Sequence, residues 1–209
     1  MRVDADFSAV HTLADGSRVR LRLLRPEDRE RVREGFARLS PTSRYDRFLA
    51  PTPRLSEQML EYLTRCDGVN HVALAAERLP PGRTAWDGVG IARFVRLRDA
   101  PDVAEAAVAV VDDAQNLGIG RLLLTTLVEA AREQGITTFR AWILPTNERA
   151  RALIEELALD AVRPRHEDGL LVYDFPLPGE AKPPPRAPLY RLFRAAAAGL
   201  TVVVRRLLG

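Results

Sequence analysis

The stretch Val108-Ala-Val-Val-Asp-Asp-Ala-Gln-Asn-Leu-Gly-Ile-Gly-Arg-Leu-Leu-Leu124 decides how the rest of this chain is read. Its first half is an apolar run suited to a strand, and its second half opens a run with helical apolar spacing. Between them Gly118 and Gly120 remove side chains where a loop turns into a helix. A helix that opens there leaves about four backbone N–H groups without intrahelical partners, with the positive end of the dipole behind them. Such a spot suits phosphate or pyrophosphate. A P-loop would end in Gly-Lys-Ser/Thr, whereas this chain has Gly120-Arg121-Leu122, which places nothing on magnesium. A dinucleotide fingerprint would put a third glycine where Leu123 stands and an acid near Arg140. Two readings remain at this point: a phosphate cradle of another kind, or a strand-to-helix turn whose glycines serve the backbone alone.

Outward from this stretch the elements alternate. Residues 103–111 form the strand that feeds the loop, and 119–133 an amphipathic helix stopped by Gly135 at its C′ position. A strand over 138–144 is cut by Pro145, and 147–157 reads as a helix with Ala150, Leu153, Ile154 and Leu157 on one face. Residues 160–165 and 170–175 make a hairpin around Glu167-Asp168-Gly169. Upstream, Val19, Leu21 and Leu23 alternate with arginines in a half-buried strand. Pro26 opens a helix with Glu27 and Asp28 in its first turn, and Ser40-Pro41 ends it. The segment 39–48 is less regular; Ser56 is an N-cap for a helix that Gly68 closes. Strands over 71–77 and 89–97 follow. The order β α α β β β α β α β β implies an α+β fold. Its central mixed, mostly antiparallel sheet has about seven strands flanked by about four helices, with the ligand crevice beside the glycine loop.

Gln115-x-x-Gly118-x-Gly120, with this element order over roughly residues 11–175, resembles the GNAT superfamily of N-acetyltransferases. Three N-terminal blocks narrow the likeness. Asp15-Gly16-Ser17-Arg18-Val19, Arg25-Pro26-Glu27-Asp28 and Leu39-Ser-Pro-Thr-Ser-Arg-Tyr-Asp-Arg-Phe48 look like the GNAT domain of bacterial Pat-type protein-lysine acetyltransferases. The resemblance implies acetyl-CoA as co-substrate and an amine or protein-lysine acceptor. It puts the pyrophosphate on the backbone of Gln115, Asn116, Leu117, Gly118, Ile119, Gly120 and Arg121. The same resemblance implies that the pantetheine arm runs along Val108, Ala109, Val110 and Val111 and reaches Asn147, which also suits an N-cap.

Acetyl transfer to an ammonium group needs a base. Glu105 is the acid in the apolar run Ala104-Glu-Ala-Ala-Val108, and the resemblance puts a catalytic glutamate there. The plain alternative is a strand charge that faces solvent. Where the family carries a tyrosine acid, this chain has Ile154, which donates no proton. Protonation of the thiolate then falls to water or another hydroxyl, or the chain is a CoA-binding module with little catalysis. Asp112 and Asp113 suit capping or bracing of the loop, and Arg44, Tyr45, Arg47 and Phe48 lie in the segment that covers the acceptor side in the family.

The chain is 209 residues long, 46% hydrophobic and 28% charged, as in an ordinary globular protein. Acids at Asp4 and Asp6 stand where a signal peptide has its apolar run, so a cytoplasmic location is expected. One cysteine, Cys66, and three scattered histidines offer no metal-binding spacing. Six cations against Glu180 leave +5 in residues 180–209; the whole chain is +3, so residues 1–179 carry −2. The body thus lacks the basic stripe of a nucleic-acid binder. Three segments are expected: an acetyltransferase domain over 1–175, a linker over 176–188 with six prolines, and a basic amphipathic helix over 189–209. Its uncharged run, 195–204, is too short to span a bilayer. Two readings of that helix stand: it lies on an anionic membrane surface, or it docks on the body or on a second subunit of a homodimer.

Overall fold

The computed structural model describes residues 3–48, 52–146 and 164–177, with the side chains of 46–48 excepted. Asn147, Ile154, the proline-rich linker beyond Leu177 and the segment expected as a C-terminal helix lie outside the described residues.

Alternation in β2 (Arg18–Leu23) buries Val19 and Leu21 on one face and turns Arg18, Arg20 and Arg22 to the other. The strands β3 (His71–Leu79), β4 (Asp87–Arg96) and β5 (Val103–Val110) read instead as continuous small apolar runs, because both faces of the sheet are covered there. On one face lies α4 (Ile119–Glu133). Its Leu123, Leu124 and Leu127 are fully buried against Leu74, Phe94, Ala106 and Val108, each contributing about 2 kcal/mol. Gly90 permits this approach: a Cβ there would stand 3.0 Å from Leu123 Cδ1 and 3.1 Å from the Ala109 carbonyl oxygen. The other face carries α1 (Arg29–Ala37) and α3 (Glu57–Thr64), whose Val32, Phe36, Leu60 and Leu63 cover Leu24, Ala73 and Ala75. The Ser56 hydroxyl accepts from the Met59 amide at 3.2 Å, the N-cap expected of it.

The sheet has eight strands, one more than expected. Their order is β1-β2-β3-β4-β5-β6-β8-β7, with β6 (Thr138–Ile143), β7 (Arg165–Glu167) and β8 (Leu170–Pro176) completing the set. The extra strand is β1 (Ser8–Thr12), an edge strand paired to β2, with none of its side chains buried. It therefore carries no strong apolar alternation to read. The irregular segment after Leu39 contains α2 (Pro41–Phe48). Ser40 accepts from the Ser43 amide at 3.1 Å, so Ser-Pro, read as a helix stop, is the cap and first residue of the next helix. In the last hairpin Asp168 and Gly169 both have positive φ, 49° and 78°, which suits a two-residue turn. Strand β7 runs from Arg165 to Glu167, and residues 160–163 of the expected hairpin lie outside the described residues.

One pairing positions the site. Every neighbour pair is antiparallel except β5 with β6, and these two pair over three residues, Val103 to Glu105 against Thr138 to Arg140. Beyond them β5 stays with β4 as far as Val110, and β6 stays with β8 as far as Ile143. The sheet splits at its centre, and the facing edges of 106–110 and 141–143 are not paired with each other.

Candidate active site

The split opens toward the glycine loop. After Val110 the chain makes a 3-10 turn, Asp112–Ala114, then an extended Gln115. Asn116 (φ 62°) and Gly118 (φ 84°) are both left-handed, and α4 begins at Ile119 with no side-chain cap. Asparagine and glycine are the residues that tolerate this backbone. The first helical amide bond runs from Leu122 to the Gly118 carbonyl at 3.2 Å. Among the described residues nothing accepts a hydrogen bond from the amides of 116–121. A Cβ on Gly118 would meet nothing within 4 Å, so the loop faces open space. Uncapped amides, a 15-residue helix behind them and this open side fit an anionic group such as a pyrophosphate.

Not every residue of the loop points that way. Gln115 Nε2 donates to the Val110 carbonyl at 3.2 Å and to Asp112 Oδ1 at 3.0 Å, which pins the turn from within. The neighbouring acids tie the loop to the helices. Asp112 accepts from the Ser40 amide at 2.8 Å and the Ser43 hydroxyl at 3.1 Å. Asp113 takes Arg38 Nη2 on both oxygens at 2.9 and 2.8 Å, while Arg38 Nη1 reaches Asp87 and the Gly88 carbonyl. With their charges engaged, two aspartates beside an anion cradle pose no contradiction.

Along the open edge lie Val108, Ala109, Val110 and Val111, with Val111 donating to the Val89 carbonyl at 2.9 Å. Glu105 sits at the last rung before the split, opposite Arg140. It is 4% exposed on an interior strand, so it is not a solvent-facing edge charge. Trp142 Nε1 donates to its Oε1 at 3.1 Å. Ala104 and Ala106 belong to the core under α4, so alternation puts Glu105 on the face that α1 and α3 cover.

That face holds a cavity of about 90 Å³, reached by Ala109 and Val111 of β5. At one end it meets a cluster that sequence reading did not single out. Glu77, 1% exposed, accepts from Arg20 Nε at 2.7 Å, Arg22 Nη2 at 2.8 Å and Arg31. Arg22 also forks onto Asp28 at 2.7 and 2.6 Å, and Asp28 accepts from the Arg25 amide at 2.8 Å. Burial pushes both carboxyls up, but the arginine hydrogen bonds and charges outweigh it and hold them below the ordinary carboxylate range. Arg93 of β4 lines the cavity too. The available signal was a charge inside a mostly apolar strand: Glu77 in β3 and Arg93 in β4. The arginines of β2 read simply as a solvent face. Of the acceptor-side segment, Arg44 packs over the Phe36 ring at 4.9 Å and donates to the carbonyls of Ala37 and Pro53. Tyr45 is exposed.

The chain is similar in sequence and fold to known proteins. The acetyltransferase (GNAT) family model matches residues 45–158. An acetyltransferase of Pseudomonas aeruginosa is 36% identical over 126 residues, 60% of this chain and 66% of that protein. The acetyltransferase Pat of Mycolicibacterium smegmatis is 31% identical over 158 residues, 76% of this chain and 45% of that protein. The chain spans less than two thirds of the length of either curated relative. Among solved structures, the GNAT domain of S. lividans PAT aligns with a TM-score of 0.69 at 31% identity, covering 84% of this chain and 100% of that one.

Proposed function

Since the chain belongs to the acetyltransferase (GNAT) family, we propose that it moves acetyl from acetyl-CoA to a primary amine by direct attack, with Glu105 as the base. The observation that carries this reading is the split between β5 and β6, with an uncapped helix start at one end and a buried carboxylate at the other. Bound acetyl-CoA supplies an activated thioester. The amides of 116–121 hold its pyrophosphate, the edge of 108–111 takes the pantetheine, and Asn147 adds a side-chain contact.

Glu105 removes one proton from the acceptor ammonium and passes it to solvent. The freed nitrogen lone pair forms the C–N bond as the C–S bond breaks, and the second proton lost by nitrogen reaches the sulfur through water, since Ile154 offers none. Trp142 fixes the orientation of the base. Two acceptor classes compete. Likeness to the Pat GNAT domain supports a protein lysine, and the small cavity lined by Arg93 and Glu77 supports a small amine. The C-terminal helix over 189–209 adds attachment, to an anionic membrane surface or to a second copy of the chain.

The test is thiol release from acetyl-CoA by the full chain against a panel of amines and lysine peptides. Release with at least one acceptor is expected. Acetyl-CoA binding with no release from any acceptor would make the chain a CoA-binding module instead.

A further inference from the structure

On the face covered by α1 and α3, one buried guanidinium has no carboxylate beside it among the described residues. Arg93, in the middle of β4, is 1% exposed and lines the cavity. Its Nη2 donates to the Leu63 carbonyl at 3.0 Å, and its Nη1 stands 3.2 Å from His71 Nε2. Neither partner is an anion: burial, and after it the Arg93 charge, push His71 down to about 4, so the ring is neutral near pH 7. Nε is buried without an acceptor. No carboxylate lies within ion-pair distance of the guanidinium among the described residues. Burying a charge this way is costly, and the same cavity shows the usual remedy, since Arg22 is shared between Asp28 and Glu77.

The rest of the lining does not supply the missing charge. Both oxygens of Glu77 already accept from arginines, and both oxygens of Asp28 accept from Arg22. Arg22, Arg31 and Arg93 against these two acids leave the cavity one positive charge in excess. Its walls are apolar, from Leu24, Val32, Leu55, Leu63 and Ile91. The cavity is open on one side, so its volume of about 90 Å³ takes the carboxylate end of a ligand whose remainder extends outward. Arg93 is opposite Ala107 on β5, one row of side chains from Glu105, or about 7 Å along the strand.

We propose that Arg93 is the carboxylate-binding residue of the acceptor site, and that the acceptor is a compact amine carrying a carboxylate, of the amino-acid class. The inference rests on the acetyl-transfer reading of the same site. A carboxylate on Arg93 supplies the absent counter-ion and leaves the amine end directed along β5. A lysine side chain of a protein brings an ammonium and no anion to this cavity, and so leaves Arg93 as it stands.

The experiment compares L-alanine and L-leucine with alaninamide, leucinamide and a lysine-containing peptide, using the full chain, acetyl-CoA and thiol release. The acids are expected to exceed their amides in kcat/KM by about tenfold or more, and Arg93→Gln to bring that ratio near one. Amides or the lysine peptide used as well as the acids would overturn the proposal, and this contrast needs no variant. If no acceptor releases thiol, the transfer reading fails, and thermal unfolding of the wild-type chain decides the anion site separately. Stabilisation by millimolar leucine but not by leucinamide would uphold it; equal effects of the two would overturn it.

Discussion

Glu105 and His71 occupy the same sheet face, and each makes a different demand. If Glu105 is the base, Glu105→Gln keeps the hydrogen bond to Trp142 within reach but cannot take a proton. Its turnover should fall by ~10²-fold or more, with acetyl-CoA affinity unchanged by equilibrium titration; unaltered turnover would reject the role. His71 bears on stability. Its ring titrates near 6.5 when unfolded, and burial followed by the Arg93 charge lowers this to about 4 in the fold. Between those values the unfolded chain binds the extra proton. The contribution of His71 is therefore complete above pH 6.5 and is lost as pH falls toward 4. Urea unfolding at pH 7 and pH 5 should show a larger loss for the wild type than for His71→Gln, which retains an acceptor for Arg93. The paired acids Asp28, Glu77 and Asp174 are held below their ordinary range, so their losses come at lower pH. Equal slopes for the two proteins would remove His71 as the cause.

At the level of elements, the glycine loop depends on contacts from well before it in the chain. Arg38, at the end of α1, joins Asp113 to Asp87, and Asp112 receives the start of α2. Partly exposed ion pairs of this kind add about 0–1 kcal/mol to stability, so their value lies in positioning. Arg38→Ala should leave the unfolding midpoint within a few degrees of wild type and raise the KM for acetyl-CoA several-fold. An unchanged KM would mean that the loop holds its shape unaided. These braces were only half legible. Asp112 and Asp113 were readable as bracing groups, but their partners were not, since Ser40, Ser43 and Arg38 are about 70 residues away in sequence. Strand β1 and helix α2 escaped for local reasons. An edge strand with no buried side chain has no apolar alternation to show, and Ser40-Pro41 serves equally as a stop and as a start.

For the whole molecule, the sheet divides into a half that carries α1 and α3 and a half that ends in the β7–β8 hairpin, joined at three residue pairs between β5 and β6. The proposed site occupies that division. The basic segment 189–209 is proposed to anchor the chain, and liposome co-sedimentation tests this with the full chain against a 1–179 truncation. Vesicles of anionic lipid should retain the full chain and release the truncation. Equal retention would refute membrane attachment, and a concentration-dependent change in mass for the full chain alone would favour self-association.

By itself the sequence determined most of the elements and the glycine loop with its helix start. Those depend on local rules: apolar periods of two and 3.6, glycine where φ is positive, and a helix start that frees its amides. It also marked Glu105, because a lone acid in an apolar run is visible without a structure. Only the tertiary structure decided that β5 and β6 part after Glu105, that Glu105 is buried beside Trp142, and that Arg93 has no carboxylate beside it among the described residues. Strand divergence, burial and charge pairing are relations between residues distant in the chain, and no local pattern encodes them.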